Sequence, residues 1–147
     1  MLFQKVKEFS PIFLRYSMAA LFLWFGLNQL FNSGAWVAWV PDRLFGLAVN
    51  PVTVIMVNGS FETLFGLFLA VGLFTRFSAV VLALHLFGIA FTIGYNDISV
   101  RDYAIALATL AVAMHGSDAL SYDKKLKKSW WGHTSLAKFL SFYEKDF

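Results

Sequence analysis

Apolar residues run through the chain in four long stretches interrupted by few polar positions: Pro11 to Phe31, Pro51 to Phe74, Arg76 to Tyr95 and Ser99 to Leu120. A helix of about 20 predominantly apolar residues crosses the hydrocarbon core of a bilayer, so each stretch predicts one span. The predicted fold is all-α, a four-helix transmembrane bundle. Local punctuation agrees with the hydropathy. Pro11 and Pro51 suit the first turn of a helix, where a missing N–H is not needed, and Ser99 followed by Asp102 resembles a capping box at the fourth.

Two shorter patterns lie outside the spans. From Trp36 to Leu47, aromatic and aliphatic residues surround Pro41, Asp42 and Arg43, which predicts a segment lying on the membrane. After the fourth span, Leu136, Phe139, Leu140 and Tyr143 recur at helical spacing, as in an interfacial amphipathic helix. The expected division is a four-span membrane unit over residues 1–123 and a basic amphipathic tail over 124–147. No two glycines are spaced four apart. Close helix approach is therefore expected from Ala104, Ala108 and Ala111 on the last helix with Gly59, Thr63 and Gly66 on the second.

Composition places the chain in a membrane and constrains its chemistry. The sequence is 59% hydrophobic and 14% charged, where a soluble domain has about 25% charged residues. Cysteine is absent, which excludes disulfides, thiolate metal sites and a thiol relay within the chain. Redox chemistry here requires a bound cofactor or a partner. Lys5, Lys7, Arg15, Arg76 and the tail residues Lys124, Lys125, Lys127, Lys128, Lys138 and Lys145 fall on one side of the spans, and only Arg43 and Arg101 on the other. The positive-inside rule then puts both termini in the cytoplasm of a multi-pass cell-membrane protein. Trp36 and Trp39 would mark the outer interface, and Trp130 and Trp131 the inner one. Lysines directly after a span suit anionic lipid rather than nucleic acid. Lys5 and Lys7 before an apolar stretch resemble a signal peptide, but the stretch is too long and carries Arg15.

Candidate chemistry centres on Glu62, the sole charge between Pro51 and Phe74. An ionisable group at membrane depth is costly and marks a functional site by default. Measured along each span from its cytoplasmic end, Asn28 and Asn58 stand about 25 Å up, Thr92 about 24 Å, Glu62 about 20 Å and Thr109 about 18 Å. Gln29 joins this layer. A lower layer holds His85 at about 13 Å, His115 at about 9 Å and Arg15 at about 6 Å, with Arg76 and Asp118 near its floor. Arg15 is too low to pair with Glu62. With no cation at its own depth, Glu62 is expected as the neutral acid, suited to a quinone carbonyl or a proton-transfer step. The plainer reading is interhelical glue, Glu62 tied to Gln29 or Asn28. His85 and His115 at similar depth are compatible with bis-imidazole haem ligation, although two polar core histidines explain them more simply. No third ligand accompanies them for zinc.

These residues also carry a family resemblance. Asn58-Gly59-Ser60-Phe61-Glu62-Thr63-Leu64-Phe65-Gly66, continuing through Gly72-Leu73-Phe74-Thr75-Arg76, resembles the signature of the DoxX/DoxD-like small membrane proteins. Arg15, the run Phe25-Gly26-Leu27-Asn28, His115-Gly116 and Tyr122-Asp123 are similar to the rest of that pattern. Gln29 departs from it, since the family often has Lys there. The family includes the large subunit of an archaeal thiosulfate:quinone oxidoreductase and a bacterial component linked to sulfur and oxidative-stress chemistry. The resemblance implies a quinone-facing or scaffolding membrane subunit, and in the first case a redox-complex subunit with Glu62 as the reacting group and quinone as cofactor. Its partners would be the lipid bilayer, other membrane or redox subunits and, where it self-associates, a second copy. The alternatives are a non-catalytic scaffold or assembly partner, and a conduit for protons or small solutes.

Overall fold

The computed structural model describes residues 2–40 and 50–127. Its elements are α1 (Leu2–Phe31), a short α2 (Ser33–Trp36) running into a 3₁₀ turn (Val37–Trp39), α3 (Pro51–Val71), α4 (Thr75–Ile93), α5 (Asp97–His115) and α6 (Tyr122–Lys127). Among the described residues there is no strand, and α1 from Val6 onward, α3, α4 and α5 are each long and apolar enough to cross a membrane. The segment around Pro41, Asp42 and Arg43 and the stripe from Leu136 to Tyr143 lie outside the described residues.

The helix ends differ from expectation for local reasons. Pro11 lies inside α1 instead of starting it. The carbonyl its missing N–H leaves unmatched belongs to the stretch from residue 6 to 10, which is exposed and open to other partners. α3 stops at Val71, short of Phe74, because Gly72 adopts the left-handed conformation at φ 72°. Its N–H bonds to the Leu69 carbonyl at 3.2 Å and that of Leu73 to the Phe68 carbonyl at 2.8 Å, a Schellman closure. α5 begins at Asp97 because Asn96 is the cap: its side-chain oxygen accepts from the Ser99 N–H at 2.9 Å and from the Ser99 hydroxyl at 3.1 Å. Ser99 thus lies within the first turn, and its single hydroxyl hydrogen is shared between Asn96 and the Gly94 carbonyl. At the other end, Gly116 at φ 81° terminates α5 before Leu120.

The most extensive packing is within the pairs α1/α3 and α4/α5. The second-helix half of the small-residue expectation holds, with α1 as its partner. A Cβ added at Gly26 would stand 2.5 Å from the Thr63 hydroxyl and 2.8 Å from the Gly59 carbonyl oxygen, and one at Gly66 would stand 3.3 Å from Leu23. Ala104 and Ala111 instead face outward. α5 buries Ala106, Val112 and Ala113 in a core shared with Ala79, Leu82 and Leu86 of α4, Leu69 of α3 and Ala19 and Phe22 of α1. Large apolar side chains such as Phe13, Phe91 and Met114 point away from the bundle, each more than three-quarters exposed, as lipid-facing surfaces require.

Candidate functional site

The backbone contact at Gly26 and Gly59 sets the site. The helices run antiparallel there, with Gln29 of α1 packed on Gly59 and its side chain reaching Glu62 of α3, and Asn58 lies one helical turn before Glu62. Gln29 Nε2 donates to Glu62 Oε2 at 3.0 Å, Asn58 Nδ2 donates to Glu62 Oε1 at 3.1 Å, and the same Asn58 amide donates to Gln29 Oε1 at 2.7 Å. Glu62 is 3% exposed, and both of its oxygens accept from amides.

A titratable nitrogen stands at the same depth, contrary to the sequence reading. His85 Nε2 lies 3.7 Å from Glu62 Oε1, and the Phe61 ring packs on the imidazole at 4.5 Å between centroids. The separation exceeds a hydrogen bond, and Nε2 is buried with no hydrogen-bond partner. The depth estimate placed His85 too low because it ran α3 on to Phe74. Counted from Val71, Glu62 is about 14 Å from its helix end, and His85 about 15 Å from Thr75. The premise for a neutral Glu62, a layer without any cation-forming group, therefore falls.

Other members of the expected layer divide. Asn28 accepts from the Trp36 indole at 2.9 Å, which ties α2 to α1 instead of reaching Glu62. The Thr109 hydroxyl bonds to the Ile105 carbonyl of its own helix at 2.8 Å. Thr92 does the same to Ile89 and borders the cavity described next. His115 is exposed at the end of α5, while His85 is turned to Glu62, so the two are not assembled as a ligand pair.

On the Gln29 side of Glu62 lies a cavity of about 520 Å³. Gln29, Asn58, Glu62, Thr92, Arg101 and Asp102 supply its polar wall. Phe22, Trp24, Phe25, Trp36 and Trp39 supply aromatic surface, and the remainder is aliphatic. His85 does not border it. This is the form of a small-molecule site: apolar walls with a few convergent polar groups. Arg101 and Asp102 pair at 2.8 Å, and Arg101 lies 5.6 Å from the centre of the Phe25 ring.

The lower layer is built differently. Arg15 is fully buried and meets Asp118 through Nε–Oδ2 at 2.6 Å and Nη2–Oδ1 at 3.2 Å. Its Nη1 donates to the Leu69 and Ala70 carbonyls at 2.8 and 2.7 Å, capping the C-terminus of α3. Burial works against the charged Asp118 carboxylate. Hydrogen bonds from Arg15 and the Leu120 N–H, with the Arg15 charge, outweigh it and hold the group below its ordinary value. Asp123 accepts from the backbone N–H groups of Phe74 at 2.7 Å and Thr75 at 2.8 Å, so it caps α4 from across the turn. Arg76 packs against Gly116.

A family model described as DoxX matches residues 10–94, more than half of the chain. The chain belongs to the DoxX family. With its four apolar helices, this DoxX protein is a multi-pass membrane protein. The match takes in α1, α3 and α4, and with them Arg15, Gln29, Asn58, Glu62 and His85; α5 and the Asp118 to Asp123 turn lie beyond it. No curated protein and no solved structure matches the chain.

Sequence reasoning missed three features of this DoxX chain. It placed Asp118 near the floor without pairing it to Arg15, gave no role to the Arg101–Asp102 pair, and treated the tryptophans near the 3₁₀ turn as interface markers rather than cavity walls. One signal was available: two acids, Asp118 and Asp123, follow Gly116 within a few residues, on the side where Arg15 and the start of α4 need partners.

Proposed function

We propose that the protein is an integral membrane subunit of a quinone-linked redox complex in the cell membrane, with both termini cytoplasmic. The observation that carries this reading is the apolar, aromatic-walled cavity with a buried carboxylate in its wall. A quinone is a flat apolar ring with carbonyl oxygens, and the cavity matches that division. The tryptophans and Phe22 suit the ring face. Gln29 uses one amide hydrogen on Glu62 and retains the second for a ligand carbonyl. Of the two carboxylates on the wall, Asp102 is paired with Arg101, and Glu62 is the one held by neutral amides and able to exchange a proton as a quinone and its hydroxyl form interconvert. The lysine asymmetry supports the orientation, which places the cavity toward the outer half of the membrane. Electrons would come from a partner subunit, since the chain has no cysteine with which to pass them on.

The test is titration of the purified chain with a short-chain quinone, following the fluorescence of Trp24, Trp36 and Trp39. Saturable quenching that weakens about tenfold or more in Glu62→Gln is expected, equivalent to one strong polar contact of about 1.4 kcal/mol. Quenching that is linear in quinone and unchanged by the substitution rejects the reading. A scaffold role has its own support in the Gln29–Asn58–Glu62 network, which ties α1 to α3. On that role Glu62→Gln is nearly silent, and Glu62→Ala costs about 1 kcal/mol of stability, the scale of interhelical hydrogen bonds in membranes.

A further inference from the structure

We propose that His85 is the second carrier of a proton relay beginning at Glu62, so that a proton released by a ligand in the cavity leaves through the seam between α3 and α4. The inference rests on the reading of the cavity as a redox-ligand site. Glu62 is the junction: it borders the cavity on one side and stands 3.7 Å from His85 Nε2 on the other, while His85 has no share of the cavity wall.

The His85 nitrogen is the part of the arrangement that packing does not explain. A buried polar atom with no partner costs free energy, and native proteins keep few of them without a use. Nε2 is buried and unbonded, yet the nearest acid oxygen lies only about 0.7 Å beyond ordinary hydrogen-bond distance. The Phe61 ring holds the imidazole from one face. The oxygen facing His85 is Oε1, held by the Asn58 amide, and a small rotation of the Glu62 side chain that loosens that bond closes the gap. Among the described residues, the other buried ionisable groups are engaged elsewhere: Arg15 with Asp118, Asp102 with Arg101 and Asp123 with the start of α4. None of these competes for His85.

The steps balance without an added reactant. A ligand O–H bond breaks and its proton passes to the Glu62 carboxylate. The new Glu62 O–H then breaks as an Nε2–H bond forms on His85, and the imidazolium releases its Nδ1 proton. Glu62 returns to its starting state, while His85 is left as its Nε2–H tautomer and must exchange its ring proton back to Nδ1, through water, before the next transfer; no electron moves in the relay. The His85 side chain is 23% exposed at the seam of two membrane-spanning helices, so onward transfer goes to water or a partner group admitted at that seam.

The experiment is infrared spectroscopy of the full chain in lipid nanodiscs across a pH series, with the Glu62 carboxyl band assigned by its loss in Glu62→Gln. Wild type should show that band changing in two linked steps, the behaviour of interacting sites. His85→Gln should collapse it to a single step. Reciprocally, Glu62→Gln should remove one step from the titration of the His85 ring signals, read by nitrogen NMR on histidine-labelled protein. This second arm stands if His85→Gln does not fold. A Glu62 curve unchanged by His85→Gln, or His85 signals unchanged by Glu62→Gln, overturns the relay. Quinone quenching on the same samples separates the two ideas. Linked titration without saturable quenching keeps the coupled pair and rejects its quinone ligand; quenching without linkage keeps the ligand site and rejects His85.

Discussion

Removing Asp118 leaves a guanidinium fully enclosed by protein, and the size of the effect follows from what remains around it. Arg15 makes four hydrogen bonds, two to Asp118 and two to the carbonyls of Leu69 and Ala70. Breaking a buried ion pair from one side costs about 3–5 kcal/mol, because the surviving charge is left uncompensated. The two carbonyls soften that penalty, so Asp118→Ala should lose about 3 kcal/mol, the low end. Arg15→Met keeps an unbranched apolar stem, removes the charge and gives up the cap on α3. The double variant should be more stable than the sum of the two losses by about 2 kcal/mol, since no orphan charge remains. Unfolding in mixed micelles, followed by circular dichroism, measures all three. Additive losses would refute the pairing.

The pair also has a pH signature. Asp118 titrates below its ordinary value of 3.8 in the folded chain. A carboxylate with a depressed folded pKa contributes stability that is fully present above its unfolded value and is lost as pH falls through the folded one. The stability gap between wild type and Asp118→Asn should therefore be flat from neutral pH down to about pH 5 and shrink only below 3.8. A gap that closes between pH 5 and 7 would assign the dependence to another group.

The remaining expectations concern local structure and topology. Asp123→Ala removes the cap of α4 and should cost about 1–2 kcal/mol, with faster amide exchange confined to Phe74 and Thr75; unchanged exchange there would deny the cap. Gly26→Ala must separate α1 from α3 and should cost about 1–3 kcal/mol. Gly88→Ala, where an added Cβ meets nothing within 4 Å, should be neutral or stabilising, and equal losses at both glycines would contradict the close crossing. Reporters fused at either terminus should read cytoplasmic and one at Ser33 external; a cytoplasmic reading at Ser33 overturns the orientation.

Four spans were legible because each writes about 20 apolar residues into the sequence, a signal that tertiary packing does not alter. The ends were less legible. Gly72 and Gly116 end their helices through positive φ, but from sequence a glycine inside an apolar run reads equally as a packing residue. Asn96 lost to Ser99 as the expected cap because both are good cap residues and only backbone geometry decides between them. Of the site, Glu62, Gln29 and Asn58 were placed in one layer by helix rise alone and do meet. His85 was not, since three residues of misplaced helix end amount to about 4.5 Å, enough to move it to another layer. The cavity was illegible for a different reason: it is a volume left between helices, and no residue spacing encodes it.

The two polar layers answer opposite needs, and the contrast bears on where chemistry belongs. In the lower layer charges are matched and helix ends are closed: Arg15 by Asp118 and two carbonyls, the start of α4 by Asp123, the end of α3 by Gly72 and Arg15. Such a network fixes one arrangement and leaves little that a ligand could bind without breaking it. Around Glu62 the matching is incomplete. The amides satisfy both carboxylate oxygens, yet His85 Nε2 is unbonded and Gln29 and Asn58 border open volume. A scaffold would gain from matching His85 as Arg15, Asp118 and Asp123 are matched in the lower layer. Leaving the Glu62 layer open beside a cavity is costly in a membrane interior, and it is the arrangement a site needs if its acid is to exchange partners during a reaction.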